Sequence, residues 1–168
     1  SKDTLSKTFL FDVRTDLSGV VGYGVASMAA EELWSLAMPA GHRIVQVQTH
    51  EKDAVNSAGR NIGEGSLMVK TINTHLVAVA SMAKDDSAMI LTLFDTVTGK
   101  TLERLSHKGC VAPVNIVMYE NNVVYSAWNS KNKRSDIFVL SIFESTVVEK
   151  YQLNPWKGLP SWIQDLSP

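Results

Sequence analysis

The sequence predicts an all-β protein, a partial β-propeller of four-stranded antiparallel blades, and three observations support this fold class. Short segments rich in β-branched and aromatic residues alternate with polar turns along most of the chain. A strand–turn–strand pattern recurs after about 47 residues, a spacing typical of propeller blades. A turn of the form Asp-x-x-Thr-Gly-Lys, at residues 95–100, resembles turns of quinoprotein-like propellers.

The two clearest predicted strands lie at residues 123–128 and 136–143. Similar composition predicts further strands at residues 8–13, 20–25, 43–48, 66–71, 75–83, 88–94 and 114–119. Residues 26–34 contain good helix formers and neither Gly nor Pro, so a short helix there and a strand at 32–37 both remain open.

An internal repeat organises the second half of the chain. Residues 70–79 align with residues 117–126 at an offset of 47 (123 − 76), and each segment leads through a charged loop into an apolar strand. Those strands end in an aromatic–acidic pair, Phe-Asp at 94–95 and Phe-Glu at 143–144. Because one four-stranded sheet cannot bury both of its faces, such units stack in tandem.

We therefore predict a single all-β unit over residues 1–168, with blade-like repeats at about 57–109 and 110–153, part of a blade at 1–56 and an irregular tail at 154–168. About three blades of the quinoprotein or WD type fit this length, whereas closed propellers have about four to eight. The remaining blades are expected outside the chain.

The turn at residues 95–100 has a predicted geometry. Asp95 is placed to accept hydrogen bonds from backbone amides two residues further on, and Gly99 supplies the positive φ angle that closes the turn. The turn supports the propeller class and by itself implies no cofactor.

The composition argues against several classes of function. The net charge is −1, from 16 basic and 17 acidic residues, so no nucleic-acid partner is predicted. Cys110 is the single cysteine, so no disulfide can form within the chain. No apolar run reaches the roughly 18 residues of a membrane-spanning helix. The chain begins without an initiator Met or a signal core, so we expect any membrane anchor or targeting signal outside these residues.

The residue pattern predicts no enzyme, no metal site and no cofactor. The histidines show no short metal-ligand spacing, and one cysteine cannot complete a zinc site with them. We expect His50 and His107 to be solvated at strand ends. Neither a Gly-x-Ser-x-Gly elbow nor a phosphate-binding Gly-rich loop is present, so no catalytic residue and no small-molecule substrate are predicted.

The candidate protein interface is a basic loop with a neighbouring tryptophan, and it consists of Trp128, Lys131, Lys133 and Arg134. A basic cluster on a hairpin loop is most often a solvated tip. The functional alternative is contact with an acidic partner surface or with anionic headgroups. Trp128 ends an otherwise apolar strand, which favours packing in the core over a role as an interface anchor.

Two long segments carry a resemblance to a known family. The first is Ser-Ala-Gly-Arg-Asn-Ile-Gly-Glu-Gly-Ser-Leu-Met-Val-Lys at 57–70, and the second, at 109–129, begins Gly-Cys-Val-Ala-Pro-Val-Asn. Glu-Glu-Leu-Trp at 31–34 precedes both, and residues 138–144 follow in the same order. Over roughly residues 31–144 the chain resembles subunit 1 of the ER membrane protein complex. It departs from the family pattern at Ala58, Met68, Val69 and Asn122.

The resemblance implies a non-catalytic scaffold at the ER membrane. The parent would be a large subunit with a signal peptide, lumenal β-propellers and one transmembrane helix near its C-terminus, and this segment would be lumenal. Its partners would be the other subunits of a complex that inserts tail-anchored and multipass proteins into the ER membrane and assists their folding. Two alternatives stay open, a quinoprotein-like propeller enzyme and a soluble cytosolic scaffold with WD-like blades.

Overall fold

The computed structural model describes residues 8–26, 29–50, 59–61, 67–69 and 73–143. Within these ranges the chain forms β-strands and no helix, and every strand is antiparallel to its neighbours. The predicted all-β class is therefore confirmed. The same ranges contain no helix long and apolar enough to cross a membrane.

Contacts between residues divide the chain into two units, Ser1–Ala54 with Asn73–Ser141 and Val55–Ile72 with Ile142–Pro168. The described residues of the first unit form three sheets. Sheet 1 consists of β1 (Thr8–Val13), β2 (Gly19–Ala26) and β3 (Ala29–Ala37). Sheet 2 has the order β4 (His42–Thr49), β7 (Leu76–Ala83), β8 (Ala88–Asp95) and β9 (Thr101–Lys108). Sheet 3 consists of β10 (Cys110–Tyr119), β11 (Asn122–Asn129) and β12 (Arg134–Ser141). In the second unit β5 (Gly59–Asn61) pairs with β6 (Leu67–Val69).

The structure decides between the two hypotheses for the segment around residue 30. It is strand β3, because its helix formers are overridden by pairing with β2, where Trp34 lies opposite Gly22. Strand β10 begins at Cys110, four residues before the predicted strand, since Pro113 lies in a bulge that does not end the pairing. The first strand of sheet 2 is formed by residues 42–49, which precede residue 57, where the predicted blade-like repeat 57–109 begins. The domain and repeat boundaries remain predictions, because parts of them lie outside the described residues.

Sheet 2 is covered on both faces, and this explains why all eight residues of β7 are buried. Neighbouring residues of a strand point to opposite faces. Val77 and Val79 point toward sheet 1, where they join an apolar cluster with Val20, Met38 and Phe94. The intervening residues of β7 point to the opposite face, which packs against β10 of sheet 3.

Trp34 of β3 joins sheet 1 to sheet 2. Its indole Nε1 donates a hydrogen bond to the Thr96 carbonyl oxygen, 3.0 Å away. Its ring meets Phe94 edge to face, with centroids 5.6 Å apart. Glycines make room for the ring on both sides of the junction, since a Cβ atom would lie 2.0 Å from it at Gly22 and 2.6 Å from it at Gly99.

The turn after β8 has the predicted geometry. The Asp95 carboxylate accepts hydrogen bonds from the backbone amides of Val97 and Thr98, and Gly99 has a φ of +70°. Partial burial opposes ionisation of Asp95. Hydrogen bonds from Thr98 and from the Asn73 side chain outweigh that effect, so the pKa of Asp95 lies below its usual value.

The junction of sheets 2 and 3 contains a histidine that sequence reasoning placed in solvent. The ring of His107 packs against Phe138 at a tilt of 37° with centroids 4.1 Å apart, and its Nε2 shares a 2.8 Å hydrogen bond with the Tyr125 hydroxyl. Burial lowers the pKa of His107, and it raises the pKa of Tyr125 to about 12. The prediction of solvation was wrong for His50 as well, whose Nε2 lies 2.6 Å from the Glu120 carbonyl oxygen.

Replacing Gly99 by Ala should destabilise the fold more than the same change at Gly41. Both glycines have positive φ, but only the new methyl at position 99 meets the Trp34 ring, and nothing lies within 4 Å at position 41. We expect a loss of about 1–2 kcal/mol for Gly41→Ala and roughly 1–3 kcal/mol more for Gly99→Ala. Urea unfolding measures the difference, and equal losses would contradict the role given to Trp34.

Stability should decrease with falling pH because of His107. Its pKa in the folded protein lies below the usual 6.5, so the unfolded chain binds more protons between the two values. The stabilising contribution of the neutral ring is therefore complete above about pH 6.5 and declines as the pH falls toward the folded pKa. Between about pH 7.5 and about pH 5.5, the free energy of unfolding should fall less for His107→Phe than for the unsubstituted protein.

The control for this measurement is His75→Gln, which removes an exposed histidine. It should retain the full pH dependence. If His107→Phe lost as much stability on acidification as the unsubstituted protein, the buried neutral imidazole would not be the source of the effect.

Candidate protein interface

The four predicted interface residues lie at one end of sheet 3. Trp128 is the penultimate residue of β11, Lys131 and Lys133 belong to the loop that follows, and Arg134 opens β12. The loop joins two strands in regular register, with Asn129 opposite Arg134 and Trp128 opposite Ser135. The lysine side chains are exposed.

Hydrogen bonds fix the backbone of the basic loop. The Asn129 side-chain oxygen accepts from the amides of Lys131 and Asn132, at 3.1 and 3.0 Å. At the base of the loop, the Ser130 amide donates to the Gly109 carbonyl oxygen in the turn between β9 and β10. The loop therefore presents its two lysines from a defined position at the end of the sheet.

Arg134 differs from the lysines because a neighbouring carboxylate engages it. Its Nε lies 2.8 Å from an oxygen of Asp136, whose other oxygen accepts from the Asn129 side-chain amide at 2.7 Å. The hydrogen bond from Asn129 and then that from Arg134 lower the pKa of Asp136. The positive charge of the Arg134 guanidinium is thus offset by the Asp136 carboxylate. The remaining positive charge of the loop comes from Lys131 and Lys133.

Trp128 does not pack in the core of the described sheets, contrary to the favoured prediction. It is 37% exposed and lies on the face of sheet 3 that points away from sheet 2. We call this face the outer face of sheet 3. Its large apolar side chains are Val117, Tyr119, Val124, Trp128, Ile137 and Val139.

The sequence analysis did not predict that sheet 3 has an exposed apolar face, although the sequence contains a signal for it. Residues 137–140 are Ile-Phe-Val-Leu, an apolar run in a strand, which places apolar side chains on both faces. A strand with one solvated face would instead alternate with polar residues.

Among the described residues, no three His, Cys, Asp or Glu side chains meet as metal ligands. The Cys110 thiol is buried, and burial followed by the nearby Asp136 charge raises its pKa, which favours the unreactive protonated form. At its surface, sheet 3 presents a basic loop with a hydrogen-bonded backbone and an outer face of exposed apolar side chains.

Comparison with known proteins gives this arrangement a family. A family model described as ER membrane protein complex subunit 1, second beta-propeller, matches residues 1–162. The chain is 34% identical over 138 residues to ER membrane protein complex subunit 1 of Gallus gallus, covering 79% of this chain and 14% of that protein. Identity to the Xenopus laevis protein is 30%, over 79% of this chain and 14% of that protein. Identity to the Saccharomyces cerevisiae protein is 26%, over 83% of this chain and 19% of that protein.

The chain spans less than a fifth of these curated relatives, and the match confirms both the resemblance and the β-propeller class. The chain belongs to the ER membrane protein complex subunit 1 family, a family of the ER membrane, in the part described as its second β-propeller.

Proposed function

We propose that this segment is a non-catalytic scaffold on the lumenal side of an ER membrane protein complex, where it holds other subunits in register. In this role the parent protein takes part in inserting tail-anchored and multipass proteins into the membrane. The energy of insertion comes from moving apolar segments into lipid, so the scaffold contributes geometry and not turnover. Attachment to the membrane is supplied by regions outside the segment.

The observation that supports this function best is the basic loop. Its backbone is fixed by Asn129 and Gly109, so little conformational entropy is lost when a partner binds. Its lysines are exposed and sit at the end of a sheet that packs on sheet 2. Such a loop suits the polar rim of an interface, where charge sets orientation and association rate. We therefore assign Lys131 and Lys133 to contact with an acidic surface of a partner subunit.

Reversing both charges, Lys131→Glu with Lys133→Glu, should weaken complex assembly. The tagged full-length protein is purified from mild-detergent extracts, and the co-purifying subunits are quantified by mass spectrometry. We expect recovery of at least one partner subunit to fall about three- to tenfold, since like charges then face each other at the rim.

The matched control is Lys84→Glu with Lys108→Glu, which changes the net charge equally at exposed positions in the loop between β7 and β8 and at the end of β9. It should leave recovery unchanged. Equal recovery of every subunit with both double variants would contradict the loop contact. Recovery of the unsubstituted protein with soluble cytosolic proteins alone would contradict the scaffold role at the ER membrane.

A further inference from the structure

The hairpin loop between β1 and β2 is fixed by hydrogen bonds. The Leu17 amide donates to the Arg14 carbonyl oxygen at 2.8 Å, and the Leu17 carbonyl oxygen accepts from the Ile44 amide at 2.9 Å. The Asp16 carboxylate accepts from the backbone amide of Ser18 at 3.0 Å and from its hydroxyl at 2.7 Å. Because Leu17 is bonded through both its amide and its carbonyl group, the loop presents the leucine side chain from a defined position.

Leu17 has a backbone conformation that a leucine does not favour. Its φ is +59°, in the left-handed region, where the β-carbon crowds the following carbonyl oxygen. Asn and Asp tolerate this region, whereas a bulky residue there is an outlier. Burial does not offset the strain, because Leu17 is 42% exposed. Packing among the described residues therefore does not explain a leucine at this position. Strained residues of this kind cluster at sites of function.

The loop between β7 and β8 has the same geometry, with a polar residue in place of the leucine. The Asp86 amide donates to the Ala83 carbonyl oxygen. The Asp85 carboxylate accepts from the amide and the hydroxyl of Ser87. Asp86 has a φ of +52°, and it is exposed although sheets 1 and 3 cover both faces of sheet 2. Neighbouring sheets therefore leave this loop position uncovered, so the exposure of Leu17 is not explained by a missing sheet.

We infer that Leu17 is an apolar anchor that inserts into a pocket on another subunit of the complex. This inference rests on the scaffold role proposed above and adds a contact that the basic loop of sheet 3 does not make. Burial of the exposed part of the leucine side chain favours association. Because hydrogen bonds fix the loop before binding, little conformational entropy is lost when the partner binds.

The charge beside Leu17 favours a protein pocket over a lipid surface. Asp16 precedes Leu17 and is exposed, and hydrogen bonds from the Ser18 hydroxyl and then from its amide lower the pKa of the Asp16 carboxyl. The carboxylate is therefore ionised at neutral pH. Anionic headgroups would repel it, and lipid tails would impose a desolvation cost. A protein can place a basic side chain opposite Asp16, so the expected partner surface is an apolar pocket with a basic rim.

Two substitutions separate an anchor from a residue that only stabilises the loop. Leu17→Asn removes the apolar surface and relieves the backbone strain, whereas Leu17→Met keeps both. The tagged full-length protein is purified from mild-detergent extracts, and the co-purifying subunits are quantified by mass spectrometry. Leu17→Asn should lower recovery of at least one subunit about three- to tenfold, and Leu17→Met should retain it. Amide hydrogen exchange in residues 8–26 should be no faster with Leu17→Asn than in the unsubstituted protein.

The control is Asp86→Asn at the equivalent loop position of sheet 2, which should leave recovery and exchange unchanged. Equal recovery of every subunit with Leu17→Asn would overturn the inference. Faster exchange with Leu17→Asn would assign Leu17 to the stability of the hairpin, and equal losses with Leu17→Met would show that apolar surface is not what the partner recognises. Loss confined to association between two differently tagged copies would assign the contact to a second copy.

Failure of the scaffold role gives a different result, because the unsubstituted protein would then recover no subunit. The lysine reversals leave Leu17 in place, so the two contacts are tested separately.

Discussion

The indole of Trp34 is the contact on which the junction of sheets 1 and 2 depends. It fills space that exists because Gly22 of sheet 1 and Gly99 of the turn beyond β8 carry no side chain. Its one polar atom is satisfied by the Thr96 carbonyl oxygen in that same turn. If either sheet shifted sideways, the hydrogen bond from Trp34 to Thr96 would break, and the space beside Gly22 and Gly99 would be left empty. The geometry of that turn depends on the hydrogen bonds that Asp95 accepts. The six residues 95–100 therefore help to position the junction between sheets 1 and 2.

Sheet 2 has an interior position, and its sequence reflects this. Strand β7 has no solvated side, so the alternation expected of a surface strand is absent. The two junctions use different chemistry. The junction with sheet 1 is a closed apolar cluster around Phe94, whereas the junction with sheet 3 includes the polar pair of His107 and Tyr125. The strength of the second junction therefore responds to protonation of His107.

Sequence reasoning succeeded where local composition decides the outcome and failed where the environment is set by distant residues. The strands rich in Val and Ile and the Asp95 turn needed only local information. Strand β9 was not predicted because its polar residues belong to a mostly exposed edge. The surroundings of His107 depend on Phe138 in another sheet. The loop of Lys131 was correctly placed between two strands, but the exposure of Trp128 could not be inferred, because an apolar strand has the same composition whether or not a covering sheet is present.

The order of the sheets along the chain has a consequence for biosynthesis. Sheets 1 and 2 each leave the ribosome with an apolar face that later residues of the chain cover. At about 5–20 residues per second, the 33 residues from the end of β9 to the end of β12 (141 − 108) take roughly 2–7 s to be made. During that interval sheet 2 exposes side chains such as those of Met82 and Leu91 to the chaperones of its compartment. Translation speed thus sets how long each nascent face remains open to aggregation.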